Sequence, residues 1–289
     1  MFLVKKQFAL IGYPLAHSIS PFIHRRLFDI SGVSAEYDLL EISPDKLRSS
    51  LPILKKLAGY NITIPHKEVM VSLVDKVCEK DALYGCINTV SNVGCSCGYN
   101  TDAYGFLKAL DFEGLHLSGS VTILGCGGAA RVFCFEAVLA ECDVTIAVRQ
   151  QSLAKALRLL EDVKNVTGQT IQITTLDNLP AKINLLINAT PIGMYPNCNQ
   201  MPLLPTQLEN CKAVFDVIYN PKETMLMKHA KSYGIQVVSG LSMLIYQAVN
   251  SQKVWTGAVI TQDDILQLMA YVNRMLNNIK YSGDSSLLT

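Results

Sequence analysis

A glycine-rich segment, Gly125-Cys126-Gly127-Gly128-Ala129-Ala130, follows the apolar run Val121–Leu124 and precedes a stretch with helical spacing. In a turn from strand to helix, the first glycine permits a tight bend and the second lets the backbone approach a pyrophosphate. The small Ala130 allows close packing of helix on strand, and the helix N-terminus favours negative charge. A glycine-rich turn without a ligand is the alternative. The context favours a dinucleotide-binding turn.

The end of the next predicted strand distinguishes between the two nicotinamide dinucleotides. NAD-binding proteins usually carry an acidic residue there, about 20 residues past the glycines, that accepts hydrogen bonds from the ribose. The segment Ala147–Gln151 contains no acidic residue, and Glu161 lies too far along the chain. The guanidinium of Arg149 suits a 2′-phosphate. The alternative is that Arg149 is an ordinary surface residue. The missing acid predicts NADP(H) as the cofactor.

Two serines follow the first predicted strand. Ser18 and Ser20 are two residues apart, so both hydroxyls can donate to one carboxylate near helix amides. The alternative is structural, because Ser20 before Pro21 is also a good start for a helix, with a hydroxyl cap and proline in the first turn.

Further polar residues come at the ends of other predicted strands. Strand alternation puts Asn61 and Thr63 on one face, and Lys67 follows shortly after them. Asn88 ends another strand and Asp102 precedes a helix, where capping is the plain alternative. Polar groups at the carboxyl ends of strands are where open α/β sheets bind ligands.

Seven ordered motifs together resemble the shikimate dehydrogenase family, from about Phe8 to about Ile279. In chain order they are Gly12–Pro21, Asn61–Lys67, Asn100–Gly105, Gly125–Arg131, Asn188–Met194, Asp216–Pro221 and Gly240–Gln247. The sequence departs from the family after the second nucleotide-domain strand, where Asn-Arg-Thr is replaced by Val148-Arg149-Gln150. The basic residue usually four positions after that arginine is also displaced, since Lys155 lies six after it.

The resemblance implies reversible, NADPH-dependent reduction of 3-dehydroshikimate to shikimate in aromatic amino-acid biosynthesis. It implies Lys67 and Asp102 as the catalytic pair, and Ser18 and Ser20 as the carboxylate site. The ring hydroxyls would be held by the following residues, with Tyr219 nearby: Asn61, Thr63, Asn88, Asp102 and Gln247. The cofactor would contact the glycine turn, Arg149 and a further set: Thr190, Met194, Ile218, Gly240 and Met243.

The elements that carry these residues alternate between short apolar runs and amphipathic stretches, which predicts an α/β fold with mainly parallel sheets. Strands are predicted at Phe8–Ile11, Glu36–Leu40, Tyr60–Thr63, Ile87–Ser91, Val121–Leu124, Val144–Val148, Ile171–Thr174, Leu185–Asn188 and Val214–Val217, with a hairpin at Gly94–Gly98. Helices are predicted at Pro21–Ile30, Pro44–Leu57, Lys67–Cys78, Ala103–Leu110, Gly128–Ala140, Leu153–Val163, Met243–Ser251 and Asp263–Ile279.

The length of 289 residues suggests two domains. We expect an N-terminal α/β substrate domain, a Rossmann-like NADP-binding domain, and C-terminal helices that return to the substrate domain. The predicted bounds are residues 1–103 with 240–289 for the substrate-binding catalytic domain and 104–239 for the nucleotide domain.

Composition narrows the possible partners. The formal net charge of +1 argues against a nucleic-acid surface, and no apolar run approaches the ~20 residues of a membrane helix. Nine cysteines, mostly within apolar segments, indicate buried thiols, and the scattered histidines and cysteines predict no metal site. The first residues lack a signal-peptide pattern, so we expect a cytoplasmic protein. The sequence does not determine the oligomeric state, and we expect a monomer or a homodimer.

Three alternatives stay open at this point. The first is a quinate/shikimate dehydrogenase with looser choice of substrate and cofactor. The second is a dehydrogenase-like sensor that binds the ligand without turnover. The presence of both Lys67 and Asp102 argues against a sensor, which could lose them. The third is another two-domain amino-acid or folate dehydrogenase, which the two serines and Gln247 disfavour.

Overall fold

The computed structural model describes residues 5–15 and 18–282, with side chains as far as Leu276. The chain forms two compact units, Met1–Gly105 with Ile245–Thr289, and Phe106–Leu244. It leaves the first unit within helix α3 (Asp102–Phe112) and returns within helix α7 (Gly240–Thr256). The expected α/β fold with two domains, and with C-terminal helices in the first of them, is confirmed. Residues 16 and 17 of the first motif lie outside the described residues.

The first unit contains a mixed six-stranded sheet in the order β2-β1-β3-β5-β6-β4. Its strands are β1 (Lys6–Gly12), β2 (Ala35–Glu41), β3 (Gly59–Ile62), β4 (Lys76–Val77), β5 (Thr89–Ser91) and β6 (Cys97–Tyr99). Strand β1 pairs in parallel with β2 and β3, whereas β5 is antiparallel to both β3 and β6. The antiparallel register places Asn61 opposite Thr89, so polar side chains meet inside this sheet.

The first unit also contains α-helices. They are α1 (Ser20–Ser31), α2 (Leu47–Leu54), the second part of α7, and α8 (Gln262–Ser282). Aromatic side chains form one part of the core, because Phe8 lies 4.9 Å from Phe28 and 4.7 Å from Trp255 between ring centroids. Burial of each such side chain contributes about 1.5–3 kcal/mol, so this cluster fixes α1 and α7 against β1.

The second unit is a six-stranded parallel sheet in the order β12-β11-β10-β7-β8-β9. Its strands are β7 (Ser120–Leu124), β8 (Asp143–Val148), β9 (Gln172–Thr175), β10 (Ile183–Asn188), β11 (Cys211–Asp216) and β12 (Gln236–Ser239), joined by α4 (Gly128–Leu139), α5 (Leu153–Thr167) and α6 (Met225–Ser232). Numbered from β7, this is the order 3-2-1-4-5-6 of doubly wound dinucleotide-binding sheets. The strand order reverses between β7 and β10, which places the ligand crevice at their carboxyl ends.

The segment after β3 differs from the prediction. The helix expected at Lys67–Cys78 is wrong: the structure has a 3₁₀ turn at Val69–Ser72, followed by β4. The Lys67 carbonyl accepts a hydrogen bond of 2.9 Å from the Ile87 amide, so it is not part of a helical hydrogen-bond ladder. Pairing with a distant segment therefore overrides a local pattern that also suits a helix.

Two helix starts also differ from the sequence patterns. The stretch Pro44–Leu57 divides into a 3₁₀ turn at Pro44–Lys46 and the helix α2. Helix α1 begins at Ser20 with Ile19 as its N-cap, and no side chain caps it within the described chain. The Ser20 hydroxyl therefore does not serve as the helix cap. No helix in the described ranges is long and apolar enough to cross a membrane.

Candidate active site

Lys67 and Asp102 form an ion pair in the first unit, with 2.5 Å between Lys67 Nζ and Asp102 Oδ2. Lys67 lies in the turn after β3, anchored by its carbonyl bond to the amide of Ile87. Asp102 begins α3, and its backbone amide donates to Asn100 Oδ1 at 3.1 Å. The Asp102 side chain is 6% exposed and that of Lys67 is 17% exposed. The two residues predicted as the catalytic pair are thus brought together, with the ammonium still reachable.

The orientation of the Asn88 amide follows from its neighbours. A backbone N–H can only donate, so the 2.7 Å contact from the Thr101 amide identifies Asn88 Oδ1 as the acceptor. The Asn88 Nδ2 group must then face Asp102, and it donates to Asp102 Oδ1 at 2.8 Å. Both oxygens of Asp102 therefore accept hydrogen bonds, one from Lys67 and one from Asn88. This arrangement holds Asp102 as an acceptor that orients Lys67.

Asn61 lies in a buried network behind this pair. Its Oδ1 accepts from the Tyr37 hydroxyl at 2.7 Å, and its Nδ2 is 2.9 Å from Thr89 Oγ1 and 3.0 Å from Ser251 Oγ. The Asn61 side chain thus has protein partners on both its oxygen and its nitrogen. Its neighbours Thr89 and Ser251, neither of which we predicted as site residues, are both fully buried.

Gln247 connects α7 to the same network. Its Oε1 is 3.4 Å from Thr101 Oγ1 and 3.5 Å from Asn88 Nδ2, and its backbone carbonyl accepts from Ser251 Oγ at 3.0 Å. The structure therefore places Asn88, Asp102 and Gln247 around one polar cluster. Ser251 lies one helical turn after Gln247, so this spacing is the signal that could have identified it.

Ser18 and Ser20 meet at the start of α1. The two hydroxyl oxygens are 3.2 Å apart, and the Ser20 amide donates to Ser18 Oγ at 3.3 Å. Thr63 follows β3 and is half-buried, with its amide bonded to the Ile11 carbonyl. A Cβ on Gly12 would come within 2.4 Å of Thr63 Cγ2, so glycine at this position leaves the room that the Thr63 side chain occupies.

The polar cluster has the chemistry of a proton donor next to a set of hydroxyl-binding groups. An ammonium held by a carboxylate can transfer a proton to an oxygen that gains negative charge, and it stabilises that charge electrostatically. Among the described residues no group of three or more His, Cys, Asp or Glu side chains is arranged to hold a metal ion.

The glycine turn of the second unit lies where the sequence predicted, between β7 and α4. Gly125 has a φ of +101°, a conformation that L side chains rarely adopt. Gly127 has a negative φ, and a Cβ added there would meet nothing within 4 Å. Nothing in the described part of the fold requires glycine at position 127, whereas close approach of a pyrophosphate does. The turn and the start of α4 therefore suit a dinucleotide.

The other predicted cofactor residues lie in this same unit. Arg149 is exposed at the end of β8, and no described residue pairs with its guanidinium. The remaining ones follow the carboxyl ends of β10, β11 and β12: Thr190, Met194, Ile218, Gly240 and Met243. Ala129 and Ala130 are in the first turn of α4. Tyr219, predicted beside the substrate, also belongs to the second unit and is half-buried.

A buried carboxyl group that the sequence analysis gave no role lies at the end of β11. Asp216 is fully buried, and it accepts from Asn188 Nδ2 at 3.0 Å, Thr224 Oγ1 at 2.6 Å and the Ile218 amide at 3.1 Å. Burial raises the pKa of Asp216 to about 6, because desolvation disfavours the charged form more than these donors stabilise it. An acidic residue ending an apolar strand is the sequence signal for this group.

The chain is similar to known proteins over most of its length. Residues 10–90 match the shikimate dehydrogenase substrate binding domain. The chain is 38% identical over 260 residues to the shikimate dehydrogenase (NADP(+)) of Methanocaldococcus jannaschii, covering 87% of this chain and 92% of that protein.

The chain is also similar to solved structures of shikimate dehydrogenases. A shikimate dehydrogenase in complex with NADP+ superposes with a TM-score of 0.85 and 33% identity, covering 93% of this chain and 96% of the other. The enzyme from Thermus thermophilus, in complex with NADP(H) and shikimate, superposes with a TM-score of 0.81 and 31% identity, covering 92% of this chain and 99% of the other.

The fold and the two sets of site residues define a two-domain α/β oxidoreductase that uses a nicotinamide dinucleotide. More narrowly, the similarity extends over most of the chain and most of each relative, at an identity well above 30% for the Methanocaldococcus protein. The chain belongs to the shikimate dehydrogenase family.

Proposed function

We propose that this protein catalyses the reversible reduction of 3-dehydroshikimate to shikimate with NADPH, a step in the biosynthesis of aromatic amino acids. The observation that carries the proposal is the partly buried ion pair of Lys67 and Asp102, with Asn88 donating to the second carboxylate oxygen. Membership of the shikimate dehydrogenase family supports the same activity.

In this proposal Lys67 is the proton donor. Bound at the glycine turn, NADPH would supply the hydride that the carbonyl carbon of the substrate accepts. As negative charge develops on the carbonyl oxygen, Lys67 Nζ transfers a proton to it, so that a hydroxyl group forms and a neutral amine remains. Asp102 holds the ammonium in place and accepts a hydrogen bond from the substrate. In the oxidative direction, the neutral amine of Lys67 removes the hydroxyl proton.

The substrate-binding residues would act through complementary hydrogen bonds. Ser18 and Ser20 donate to the carboxylate, which suits two hydroxyls that lie 3.2 Å apart. Ring hydroxyls would be bound by Thr63, Asn88, Asp102 and Gln247, with Tyr219 nearby. Asn61 completes the predicted set, and we infer that its main contribution is to hold Thr89 and Ser251 behind the site, because its own polar atoms have protein partners.

For the cofactor, we propose NADP(H) bound at the glycine turn formed by Gly125, Gly127 and Gly128. The absence of an acid at the end of β8 and the exposed Arg149 favour the 2′-phosphate over a free ribose hydroxyl. Accordingly, residues 1–103 with 240–289 would be the substrate-binding catalytic domain, and residues 104–239 the NADP-binding domain.

We also propose a cytoplasmic location and a monomeric or homodimeric state. All nine cysteines carry free thiols and six of them are buried, an arrangement that suits a reducing compartment. Size-exclusion chromatography with light scattering would distinguish monomer from dimer.

A paired assay tests the proposed function. The purified protein is incubated with shikimate or quinate, and with NADP+ or NAD+, while the reduced nicotinamide is followed by its absorbance. We expect turnover of shikimate with NADP+ to exceed that of the other three pairs. Comparable rates with quinate or NAD+ would favour a quinate/shikimate dehydrogenase. Binding of shikimate or NADP+ without any turnover would contradict the enzyme function and favour a sensor.

A further inference from the structure

Asp216 lies where three parts of the second unit meet. It ends β11, and its partners are Asn188 at the end of β10, Thr224 before α6, and the amide of Ile218 in the loop after β11. The parallel register puts Asn188 directly beside Asp216. The group is thus placed at the carboxyl ends of two neighbouring strands, the edge at which such sheets bind ligands.

Three neighbouring groups donate hydrogen bonds to Asp216. The Thr190 amide donates to Asn188 Oδ1 at 3.1 Å, so Asn188 Nδ2 must face Asp216 as a donor. The Met227 amide donates to Thr224 Oγ1 at 3.2 Å, and the Thr224 hydroxyl donates in turn to Asp216 Oδ2 at 2.6 Å. With the Ile218 amide, three donors converge on one carboxyl group, and none of the three is a cation.

These hydrogen bonds hold parts of two loops that contain predicted cofactor residues. Asn188 Oδ1 accepts from both the amide and the hydroxyl of Thr190, the latter at 2.7 Å, and Thr190 Oγ1 accepts in turn from the Ile192 amide at 3.3 Å. On the other side, the bond from the Ile218 amide sets the start of the loop after β11. Asp216 is therefore the common acceptor for the loops 188–194 and 216–221.

We propose that Asp216 is a positioning residue that holds these two loops in the conformation that binds the nicotinamide half of the cofactor. The inference rests on the proposed function, because the nicotinamide end is assigned to Thr190, Met194 and Ile218 by resemblance to the family. Asp216 acts through Asn188, Thr190 and Ile218. The adenine end is assigned instead to Arg149 at the end of β8, and no described hydrogen bond joins Arg149 to Asp216 or to its three partners.

The experiment compares the binding of the whole cofactor with the binding of its adenine half alone. Dissociation constants of NADPH and of adenosine 2′,5′-bisphosphate, which lacks the nicotinamide half, are measured by isothermal titration calorimetry for the unaltered protein and for Asp216→Asn. Asparagine keeps the shape but places an NH₂ group against at least one of three donors. We expect affinity for NADPH to fall by at least about tenfold, and affinity for the bisphosphate to stay within about twofold.

Two further variants keep the test informative if Asp216→Asn does not fold. Thr224→Val removes one donor at nearly constant volume and should weaken NADPH binding selectively, whereas Thr224→Ser should restore it. Leu208→Ala is the control, because Leu208 is fully buried in the apolar core of the same unit, in a cluster that includes no residue of either loop. It should lower the thermal midpoint without changing the ratio of the two affinities.

The outcomes separate this inference from the proposed function. Equal weakening of both ligands, or no weakening of either in Asp216→Asn and Thr224→Val, would overturn the positioning role while leaving the proposed function intact. Failure of the unaltered protein to bind either ligand would overturn both.

Discussion

Replacing Asn88 by aspartate removes the hydrogen bond from Asn88 to Asp102 and leaves the surrounding packing unchanged. The side chains have the same shape, and the introduced carboxyl can still accept from the Thr101 amide, which lies 2.7 Å from Asn88 Oδ1. The change falls on the other side, where Asn88 Nδ2 donates to Asp102 Oδ1 at 2.8 Å. In Asn88→Asp an oxygen replaces this donor and faces the carboxylate that orients Lys67.

The expected loss follows from two contributions. A hydrogen bond to a charged group contributes about 1.5–3 kcal/mol, and losing it lowers kcat/KM by roughly 10–150-fold. Two carboxylates about 3 Å apart also repel, and such a pair binds a shared proton. We therefore expect Asn88→Asp to lose at least about a hundredfold in kcat/KM near neutral pH, and to recover partly on acidification as an O–H donor replaces the amide.

Initial rates of shikimate oxidation with NADP+ are measured from mildly alkaline to mildly acidic pH. Asn88→Ala should lose about 10–150-fold without recovery at lower pH, because it removes the donor but adds no charge. Asn92→Asp is the matched control, since Asn92 donates to the carbonyls of Leu54 and Leu57 in the same unit. It should reduce stability but not kcat/KM. Unchanged activity of Asn88→Asp would refute the deduced orientation of the amide.

Three more predictions concern the cofactor and the stability of the first unit. Arg149→Ala should raise KM for NADP+ by about tenfold and leave KM for NAD+ unchanged in steady-state assays; a parallel rise for both cofactors would exclude recognition of the 2′-phosphate by Arg149. In Gly59→Ala, the new Cβ would lie 2.4 Å from Trp255 Nε1, so we expect a loss of about 1–3 kcal/mol in urea unfolding, and an unchanged midpoint would contradict this packing. Burial lowers the pKa of His24 to about 3, below the 6.5 of the unfolded chain, so its contribution to stability is complete above pH 6.5 and is lost as the pH falls towards 3. Between pH 6.5 and pH 3 the free energy of unfolding should therefore fall by up to about 5 kcal/mol more than that of His24→Phe, and parallel curves would show that folding does not lower the pKa of His24.

The parallel sheet of the second unit could be predicted closely from the sequence. Its strands β7, β8, β10 and β11 are buried on both faces, so they form continuous apolar runs bounded by turn residues. The glycine turn was recognisable for the same reason, since it lies between such a run and a helix. Helix α6 and strand β12 were missed; they have only eight and four residues, so each gives a short sequence pattern.

The segment after β3 could not be predicted locally. Its apolar residues suit a helix, but the amide of Ile87 and the strand β6 are the hydrogen-bond partners that decide its conformation. Those partners are distant in the sequence, and a pattern of hydrophobic residues contains no information about such pairing.

In the candidate site, too, the local elements could be predicted from the sequence, but the contacts between distant residues could not. Lys67 and Asp102 are 35 residues apart, and only the resemblance to a family indicated that they meet. The buried hydroxyls behind them, Thr89 and Ser251, lie on elements whose apolar patterns were correctly predicted, but their bonds to Asn61 depend on how β5 and α7 pack. The role of Asp216 likewise depends on its parallel register with Asn188.

The most direct test of the central claim is the turnover of Lys67→Ala with shikimate and NADP+, measured alongside the binding of both ligands. If Lys67 transfers the proton, kcat should fall by about 10²–10⁴-fold, the usual contribution of general acid–base catalysis, while the variant remains folded and still binds NADPH. A folded variant that retains kcat within about tenfold would contradict the assignment of Lys67 as the proton donor.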